Sequence, residues 1–371
     1  MAAERGTAAA TRRPRTTTRA RSAPAADADH GGSSDRRRAS AADAAPADAA
    51  TVRASSRTRS AASGTPRKPA SDAAAVAGIT ITHPERVLYP EAGITKGDIA
   101  QYYVHMASEL LPYVRNRPLS LVRCPQGAAA SCFFQKHATE QEIPGIGYVM
   151  ITESGGEKPY VLASNPQALA GLAQMGTLEL HAWNATADDV EHADTLVFDF
   201  DPDAGLGFAQ VVAAALECRA ALAGLGLQSY AKTTGGKGLH VVVPLAPRVP
   251  WDTAKRFARA LADRMQAGNP DRFVTKALKA ARKGRIFIDY LRNARGATAV
   301  APYSVRARPG ATVAVPLYWN ELCDALDPAT FTVRTVPARI ARGGDPWAGY
   351  HTHRQTITAA MLRDLERVSS P

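Results

Sequence analysis

Apolar residues recur along the chain with two different spacings, and each spacing predicts one kind of secondary structure. Apolar positions three and four residues apart are typical of a helix that buries one face. Helices are therefore expected over residues 96–112, 166–175, 207–224, 252–267 and 356–368. Short runs rich in β-branched and aromatic residues predict strands. Strands are expected over residues 119–123, 147–152, 158–163, 178–183, 196–202, 227–233, 239–244, 285–290 and 299–305.

The order of these elements predicts an α+β fold with mixed sheets flanked by helices. Only residues 234–238 separate two of the expected strands, and parallel neighbours need a much longer crossover connection. The sheet that contains them is therefore not fully parallel. Helix starts are predicted at Thr95, which has Asp98 three residues later, at Asn165 before Pro166, and at Asp252.

The first 75 residues differ in composition from the rest of the chain. They contain no Leu, Ile, Phe, Tyr or Trp, so they cannot bury enough apolar surface to offset the entropy lost on ordering. We expect a disordered basic tail over 1–75 and a folded domain over 76–350, with order beginning near Ile79. A helical C-terminal extension is expected over 351–371.

The formal net charge of +11 and the isoelectric point near 9.7 favour an anionic partner, of which nucleic acid is the first candidate. The charge is unevenly distributed. Residues 1–75 hold fourteen Lys and Arg against seven Asp and Glu, so +7 belongs to the tail and +4 to the remainder. The arginine clusters of the tail fit loose binding of nucleic acid, and they fit a solvated linker equally well.

Four cysteines are present, and none forms a C-x-x-C pair. This spacing suggests neither a zinc site nor a disulfide framework, and it favours a reducing, cytosolic compartment. The chain has no run of about 18 apolar residues, so no membrane span is expected.

Two carboxylates, Asp199 and Asp201, interrupt the apolar strand 196–202. Residues i and i+2 of a strand point to the same face, so the two side chains should lie together. Hard divalent cations prefer oxygen ligands and would offset the repulsion between the two acids. Pro202 should end the strand, because proline cannot donate to a ladder. A D-x-D sequence alone also fits an ordinary strand end.

A glycine-rich loop follows, in the sequence Thr-Thr-Gly-Gly-Lys-Gly-Leu-His over residues 233–240. Glycines allow backbone N–H groups to approach an anion, while Lys237, Thr234 and His240 add a cation, a hydroxyl and a ring donor. The group suits a triphosphate, although the spacing is not that of a Walker A loop. A tight hairpin turn without a ligand remains the alternative. A third acid, Asp289, ends the strand 285–290.

Taken in order, these motifs resemble the polymerase domain of bacterial DNA ligase D, in the archaeo-eukaryotic primase superfamily. The resemblance rests on Phe198-Asp-Phe-Asp-Pro202, Thr234-Gly-Gly-Lys-Gly-Leu-His240, Asp289-Tyr-Leu-Arg-Asn293 and Ala301-Pro-Tyr-Ser-Val-Arg-Ala-Arg308. Upstream matches are Val87-Leu-Tyr-Pro90, Thr95-Lys96, Arg117-Pro118, Phe133-Phe134 and Leu178-Glu-Leu-His181. Together they cover about residues 79–350.

The resemblance implies the roles of particular residues. Two divalent ions, Mn²⁺ or Mg²⁺, would be held by Asp199, Asp201 and Asp289, with Arg292 supporting the catalytic centre. The nucleotide would be bound at its sugar by His181 and at its triphosphate by Thr234, Lys237, His240, Arg306 and Arg308. DNA would be contacted by Phe133 and Phe134 at the template, by Arg123 and Lys136 beside them, and by Arg86 and Lys96 at the 5′-phosphate across a gap.

This chain departs from the family pattern at two of these positions. The family often has serine where Thr234 stands and sometimes lysine where Arg86 stands. Both exchanges keep the donor group. One member of the Phe133-Phe134 pair is expected to belong to the core, which leaves the other to stack on a base.

The implied activity is template-dependent nucleotidyl transfer, by a two-metal phosphoryl-transfer mechanism, that fills gaps and extends ends during non-homologous end joining. The substrates would be NTPs or dNTPs on gapped DNA or double-strand-break ends, in the cytoplasm at the nucleoid. The chain has no K-x-D-G adenylation motif, so we expect a stand-alone polymerase or one part of a split set. Ku and a separate DNA ligase are the partners expected by family analogy.

Two other functions also fit parts of the sequence. A non-catalytic DNA-end-binding module would use the basic tail and core, and its DNA binding would survive loss of Asp199 and Asp201. A phosphatase of the haloacid dehalogenase type also uses D-x-D at a strand end, but it requires D-x-D-G-[TV], whereas Pro202 and Asp203 follow here. No residue fixes the preference between ribo- and deoxynucleotides or between Mn²⁺ and Mg²⁺.

Overall fold

The computed structural model describes residues 74–139 and 143–367. The predicted tail therefore lies outside the described residues, except for its last two. These belong to a strand, Ala74–Val76, so regular structure begins before the predicted onset near Ile79.

The described residues form seven α-helices and sixteen strands. The helices are α1 (Lys96–His105), α2 (Ala107–Val114), α3 (Pro166–Gln174), α4 (Phe208–Gly224), α5 (Trp251–Gly268), α6 (Val336–Gly343) and α7 (Ala359–Arg367). The first eight strands are β1 (Ala74–Val76), β2 (Ile79–Ile81), β3 (Val87–Tyr89), β4 (Ile94–Thr95), β5 (Leu119–Arg123), β6 (Phe133–Gln135), β7 (Ile146–Glu153) and β8 (Gly156–Ala163). The others are β9 (Thr177–Trp183), β10 (His192–Pro202), β11 (Tyr230–Thr233), β12 (Leu239–Pro250), β13 (Phe273–Val274), β14 (Ile286–Asp289), β15 (Thr298–Val300) and β16 (Pro316–Leu317).

Two large sheets form the core, which confirms the predicted α+β class. The main sheet has the order β13-β14-β10-β12-β11-β16, and all its pairs are antiparallel except β13 with β14. The second sheet has the order β15-β9-β5-β8-β7, with β6 added to β5. The turn 234–238 joins two antiparallel strands, as its length requires.

The alternation of side chains along β10 determines which face of the main sheet has room for chemistry. Leu196, Phe198 and Phe200 are completely buried in the cluster that contains the inner residues of α4 and α5. The intervening residues, Asp199 and Asp201, point to the opposite face, because side chains alternate along a strand. Helices therefore cover one face and leave the acids on the other. The strand ends at Pro202 as predicted.

Three sequence predictions about helices meet different outcomes. Thr95 caps α1 in a capping box with Asp98, as expected, but the predicted helix 96–112 is two helices separated at Met106. The predicted cap Asp252 is wrong. Pro250 precedes the first helical residue, Trp251, so Asp252 lies in the first turn, where its charge favours the positive end of the helix dipole.

The predicted strand 299–305 is also shorter than expected, because only Thr298–Val300 pairs with β9. Pro302 has no N–H to donate, and Tyr303 has a positive φ of 64°, which is incompatible with a continuing strand. The segment after Val300 therefore leaves the sheet and passes beside the main sheet's acidic face.

The prediction that no disulfide forms is wrong, because Cys124 and Cys132 are bonded. Their bond follows from the antiparallel β5–β6 pairing, in which Arg123 lies opposite Phe133, so that Cys124, just after β5, comes next to Cys132, just before β6. Cysteine spacing alone does not reveal such a pairing. None of the helices in the described part of the chain has the length and apolar character needed to cross a membrane.

Candidate active site and nucleic-acid interface

Three carboxylates lie together on the open face of the main sheet. Asp199 on β10 is directly opposite Asp289 on β14 in the antiparallel register, and directly opposed residues share a face. Asp201 lies two residues along β10 and therefore shares that face too. The three acids that the sequence identified are thus neighbours, although two of them are 88 and 90 residues from the third along the chain.

Asp199, whose side chain is 13% exposed, lies between His240 and Arg292. Its Oδ1 is 3.4 Å from His240 Nε2, and its Oδ2 is 3.3 Å from Arg292 Nη2. Burial alone would raise the pKa of Asp199, but His240 and Arg292 outweigh it and hold the pKa at about 2. Burial lowers the pKa of His240 to about 4, so the ring is neutral at pH 7.

The other two acids differ in their environments. Burial, together with repulsion from Asp199, raises the pKa of Asp289, although Arg292 Nε lies 3.2 Å from its Oδ2. Asp201 is more exposed. Its two oxygens lie 3.8 Å from Lys237 Nζ and 3.3 Å from Arg282 Nη1. Each carboxylate therefore has at least one basic neighbour.

The donor set of this acidic face fits divalent ions, because three carboxylates on adjacent strands offer only oxygen ligands. Their present placement is not that of a closed metal site. Across residues 74–139 and 143–367, no three His, Cys, Asp or Glu side chains converge closely enough to enclose an ion. The carboxylates instead form ion pairs with arginines: Asp201 pairs with Arg282, and both Asp199 and Asp289 pair with Arg292.

The glycine-rich loop between β11 and β12 is closed tightly on itself. The backbone N–H and the hydroxyl of Thr234 both donate to the Gly238 carbonyl at 3.1 Å. A side chain at Gly238 would put its Cβ 2.8 Å from the Phe200 carbonyl, and Gly235 has a positive φ of 65°. Glycine is therefore required at both positions for the loop to lie against β10.

Two arginines pack directly on this loop. A Cβ added to Gly235 would lie 2.5 Å from Arg306 Cγ, and one added to Gly236 would lie 3.1 Å from Arg308 Cζ. Arg306 also donates to the Thr234 carbonyl. Loop, arginines and acids line one cleft of about 190 Å³, whose walls include His181, Asp199, Asp201, Thr234, Lys237, His240, Arg292, Arg306 and Arg308.

His181 forms part of the opposite wall, on β9. Its Nε2 lies 2.7 Å from Glu179 Oε2, two residues earlier on the same face of the strand. Burial lowers the pKa of His181, and the Glu179 carboxylate only partly counteracts this. The Phe134 ring meets the His181 ring edge-on, with 5.8 Å between centroids.

The aromatic pair on β6 is more exposed than expected. Phe133 and Phe134 are 48% and 56% exposed, so the prediction that one of them belongs to the core is wrong. β6 is three residues long, and among the described residues it pairs with β5 alone. Exposed aromatic rings beside a cationic cleft are a common surface for stacking unpaired bases.

The two basic residues beside this pair are partly engaged within the protein. The Arg123 guanidinium lies 5.4 Å from the Phe133 ring centroid and donates to the Met175 carbonyl and to Gln135. Lys136 Nζ lies 2.8 Å from Glu153 Oε1. Arg123 therefore supports Phe133 from below, and Lys136 remains 41% exposed at the rim.

Arg86 and Lys96 lie together at the start of α1. Lys96 is the first residue of the helix, and its backbone N–H donates to the Arg86 carbonyl at 2.8 Å. Burial, followed by the positive charge of Arg86, lowers the pKa of Lys96. Two cations at a helix N-terminus favour a bound anion, because the helix dipole has the same sign there.

Sequence reasoning did not identify three residues near the cleft, namely Glu179, Lys232 and Arg282. Glu179 and His181 show the i, i+2 spacing of one strand face, which would have indicated their contact. Lys232 is 2% exposed and its Nζ has no hydrogen-bond partner among the described residues; it extends the cross-strand row through His240 to Asp199. Arg282 lies in a basic loop whose sequence gives no sign of its contact with Asp201.

Comparison with known proteins gives consistent matches. A family model described as LigD, primase-polymerase domain, matches residues 95–347. The multifunctional non-homologous end joining protein LigD of Pseudomonas aeruginosa is 42% identical over 297 residues, which are 79% of this chain and 35% of that protein. The bifunctional LigD of Bacillus subtilis is 30% identical over 293 residues, 78% of this chain and 47% of that protein.

A solved structure also resembles this one. It is the polymerase domain of Mycobacterium tuberculosis ligase D in complex with DNA, with a TM-score of 0.70 and 32% identity. The match covers 75% of this chain and 99% of that one. The chain thus corresponds to an entire solved domain, but to about a third to a half of the length of the two LigD proteins.

Proposed function

The chain belongs to the family of LigD primase-polymerase domains, and from that premise we propose that it is a template-dependent nucleotidyltransferase. It fills gaps and extends ends during non-homologous end joining. The substrates are NTPs or dNTPs, and the nucleic acid is DNA with a gap or a double-strand-break end.

The observation that best supports this proposal is the composition of the cleft. One wall presents Asp199 and Asp201, with Asp289 directly opposite Asp199 on the adjacent strand, and the glycine loop and its arginines lie beside them. A nucleoside triphosphate needs cationic and backbone donors for its phosphates and oxygen ligands for its metal ions. A simple hairpin turn would explain neither the acids nor the arginines.

The residues of this chain divide the work of binding the nucleotide. The triphosphate is held by hydrogen-bond donors on and around the glycine-rich loop, namely Lys237, Thr234, His240, Arg306 and Arg308. His181 lies against the sugar from the opposite wall. Arg292 contacts both Asp199 and Asp289 and offsets the repulsion between the two carboxylates until ions bind. These contacts align the triphosphate with the primer end before any bond changes.

Asp199, Asp201 and Asp289 would hold two divalent ions, Mg²⁺ or Mn²⁺. When bound, such ions stabilise the charge that develops during phosphoryl transfer. The carboxylates must first be released from their basic neighbours, Arg282 beside Asp201 and Arg292 beside the other two. Ion binding and movement of these arginines are therefore coupled.

DNA binding uses a second set of residues. Phe133 and Phe134 stack on template bases, with Arg123 beneath and Lys136 at the rim. Arg86 and Lys96 bind the 5′-phosphate on the far side of a gap. Ku and a separate DNA ligase are proposed as partners, and the cytoplasm, at the nucleoid, is the proposed location.

The decisive experiment is primer extension on a gapped duplex that carries a 5′-phosphate. Ribo- and deoxynucleotides are compared with Mn²⁺ and with Mg²⁺, and Asp201→Ala is assayed beside the wild type. Templated, metal-dependent addition that is lost in the folded variant is the expected result. Addition that persists in that variant would refute the role of Asp201, and DNA binding without addition under any condition would favour the non-catalytic end-binding module.

A further inference from the structure

Glu179 is a buried carboxylate that contacts two residues of the nucleotide cleft without lining the cleft itself. It is 5% exposed. Its Oε2 is 2.7 Å from His181 Nε2 and 3.1 Å from Arg306 Nε, and its Oε1 accepts from the Ala307 N–H at 2.8 Å. Glu179 therefore contacts both His181, which is proposed to bind the sugar, and Arg306, which is proposed to bind the phosphates.

The charge of Glu179 is well defined. Burial would raise its pKa, but the hydrogen bond with His181 and the charge of Arg306 outweigh burial and hold the pKa at about 2. An ionised carboxylate only accepts hydrogen bonds. The proton of the neutral His181 ring must therefore be on Nε2, where it is donated to Glu179, and Nδ1 is left as a hydrogen-bond acceptor.

A continuous set of contacts passes through this carboxylate. The Phe134 ring meets the His181 ring, His181 contacts Glu179, Glu179 contacts Arg306, and Arg306 donates to the Thr234 carbonyl of the glycine loop. The arginine segment has further fixed points, because Tyr89 donates to the Arg306 carbonyl at 2.7 Å. Glu179 thus contacts one residue of each wall of the cleft, His181 and Arg306.

We propose that Glu179 is a positioning residue that sets the tautomer of His181 and the orientation of Arg306 together, so that recognition of the sugar hydroxyls and of the phosphates depends on one carboxylate. The proposal rests on the nucleotidyltransferase function given above. An acceptor Nδ1 on His181 selects a ligand that donates, and a sugar hydroxyl is such a donor. Glu179 does not touch the substrate in this arrangement and acts through its two partners.

The substitution Glu179→Gln tests this directly, because glutamine has the same shape without the charge. Its NH₂ group can replace one carboxylate oxygen opposite His181, which forces the ring proton onto Nδ1 and removes the acceptor. The ion pair with Arg306 is lost at the same time. The matched control is Glu157→Gln, since Glu157 is an exposed glutamate on β8 outside the cleft-lining set.

Single-nucleotide addition is measured with a ribonucleotide, a 2′-deoxynucleotide and a 2′,3′-dideoxynucleotide. For Glu179→Gln we expect KM to rise about 10- to 100-fold for the ribonucleotide, with kcat reduced less than KM is raised. The loss in kcat/KM should be largest for the ribonucleotide and smallest for the dideoxynucleotide, which lacks both hydroxyls. Thermal unfolding of each variant establishes that it is folded.

A measurement on the wild type keeps the proposal testable even if Glu179→Gln does not fold. The ¹⁵N chemical shifts of the His181 ring, assigned by comparison with His181→Ala, report which nitrogen holds the proton. A proton on Nε2 at pH 7 is expected. A proton on Nδ1 would overturn the proposal without reference to activity.

The outcomes separate this proposal from the proposed function. If the wild type adds no templated nucleotide, the polymerase function fails, and a His181 proton found on Nδ1 would still overturn the role of Glu179. If the wild type is active and Glu179→Gln matches Glu157→Gln in KM and in its ranking of the three sugars, the positioning role is overturned while the polymerase stands.

Discussion

The main sheet and the second sheet both contribute to the cleft, but the first offers buried charge and the second offers exposed apolar surface. Asp199 and Asp289 are 13% and 15% exposed and ion-paired, whereas Phe133 and Phe134 are about half exposed. Carboxylates that face each other across a ladder repel, so they require basic neighbours before a ligand arrives. Aromatic rings in water require none. The two surfaces should therefore respond differently to substitution.

The largest effect on activity is expected from substitution of a carboxylate of the main sheet. Asp289→Asn should lower templated addition at least about a thousandfold, because it removes an ion ligand. The free energy of unfolding should change by less than about 1 kcal/mol, since the lost ion pair with Arg292 is offset by relief of repulsion with Asp199. Primer extension and urea denaturation measure the two quantities. Asp324→Asn is the control. A comparable loss of templated addition in that variant would show that the effect is not specific to the acids of the main sheet.

Lys232, a buried lysine of the main sheet, should make the free energy of unfolding depend on pH. Burial, and then the charge of Arg306, lowers its pKa to about 7. The unfolded lysine holds its proton up to about pH 10.4. Below about pH 7 the folded state therefore bears the full free-energy cost of the lowered pKa, and this cost decreases as the pH rises from about 7 to about 10.4. Lys232→Met should raise the free energy of unfolding by up to roughly 4 kcal/mol at pH 6 and by much less at pH 9.5.

Urea denaturation at the two pH values tests this expectation. The exposed Lys255 on α5 provides the control, Lys255→Met, which should give the same small change at both. An equal gain at both pH values for Lys232→Met would show that packing, and not charge, is responsible.

On the aromatic side, effects should be confined to nucleic-acid binding. Phe134→Ala should weaken binding of a primer with a single-stranded template by about 1–3 kcal/mol, the usual contribution of one stacked base. The melting temperature should not fall, because the ring is already 56% exposed. Fluorescence anisotropy with labelled DNA gives the affinity. Tyr318→Ala removes an exposed aromatic that does not line the cleft, and it should leave the affinity unchanged.

The smallest effect is expected at the 5′-phosphate site. Lys96→Gln should reduce the preference for a phosphorylated over an unphosphorylated gap several-fold, consistent with loss of one charge-assisted contact. Binding to the unphosphorylated gap should be unchanged. A variant that loses affinity equally for both substrates would place the phosphate elsewhere.

The sequence was most informative where side-chain period and residue type agreed. The D-x-D strand, its end at Pro202 and the turn 234–238 were predictable, because alternation and proline chemistry act locally. Whether Asp289 would lie opposite Asp199 depended on strand order, which no local pattern specifies. The Cys124–Cys132 bond and the contact of Arg282 with Asp201 likewise follow from tertiary pairing alone.

The exposure of Phe133 and Phe134 was missed for a related reason. A phenylalanine pair in a short apolar run is indistinguishable from core until the number of neighbouring strands is known. In the described part of the chain, both rings remain about half exposed. Glu179 was overlooked because its partner Arg306 is 127 residues away.

The three-residue β6 also bears on how this protein behaves at high concentration. An uncovered edge strand with two phenylalanines invites another copy to add its own strand, which is a common start of aggregation. Its short length and the adjacent Lys136 limit such pairing. Single-stranded nucleic acid would cover the same rings, so it should act as a solubilising agent during purification and storage.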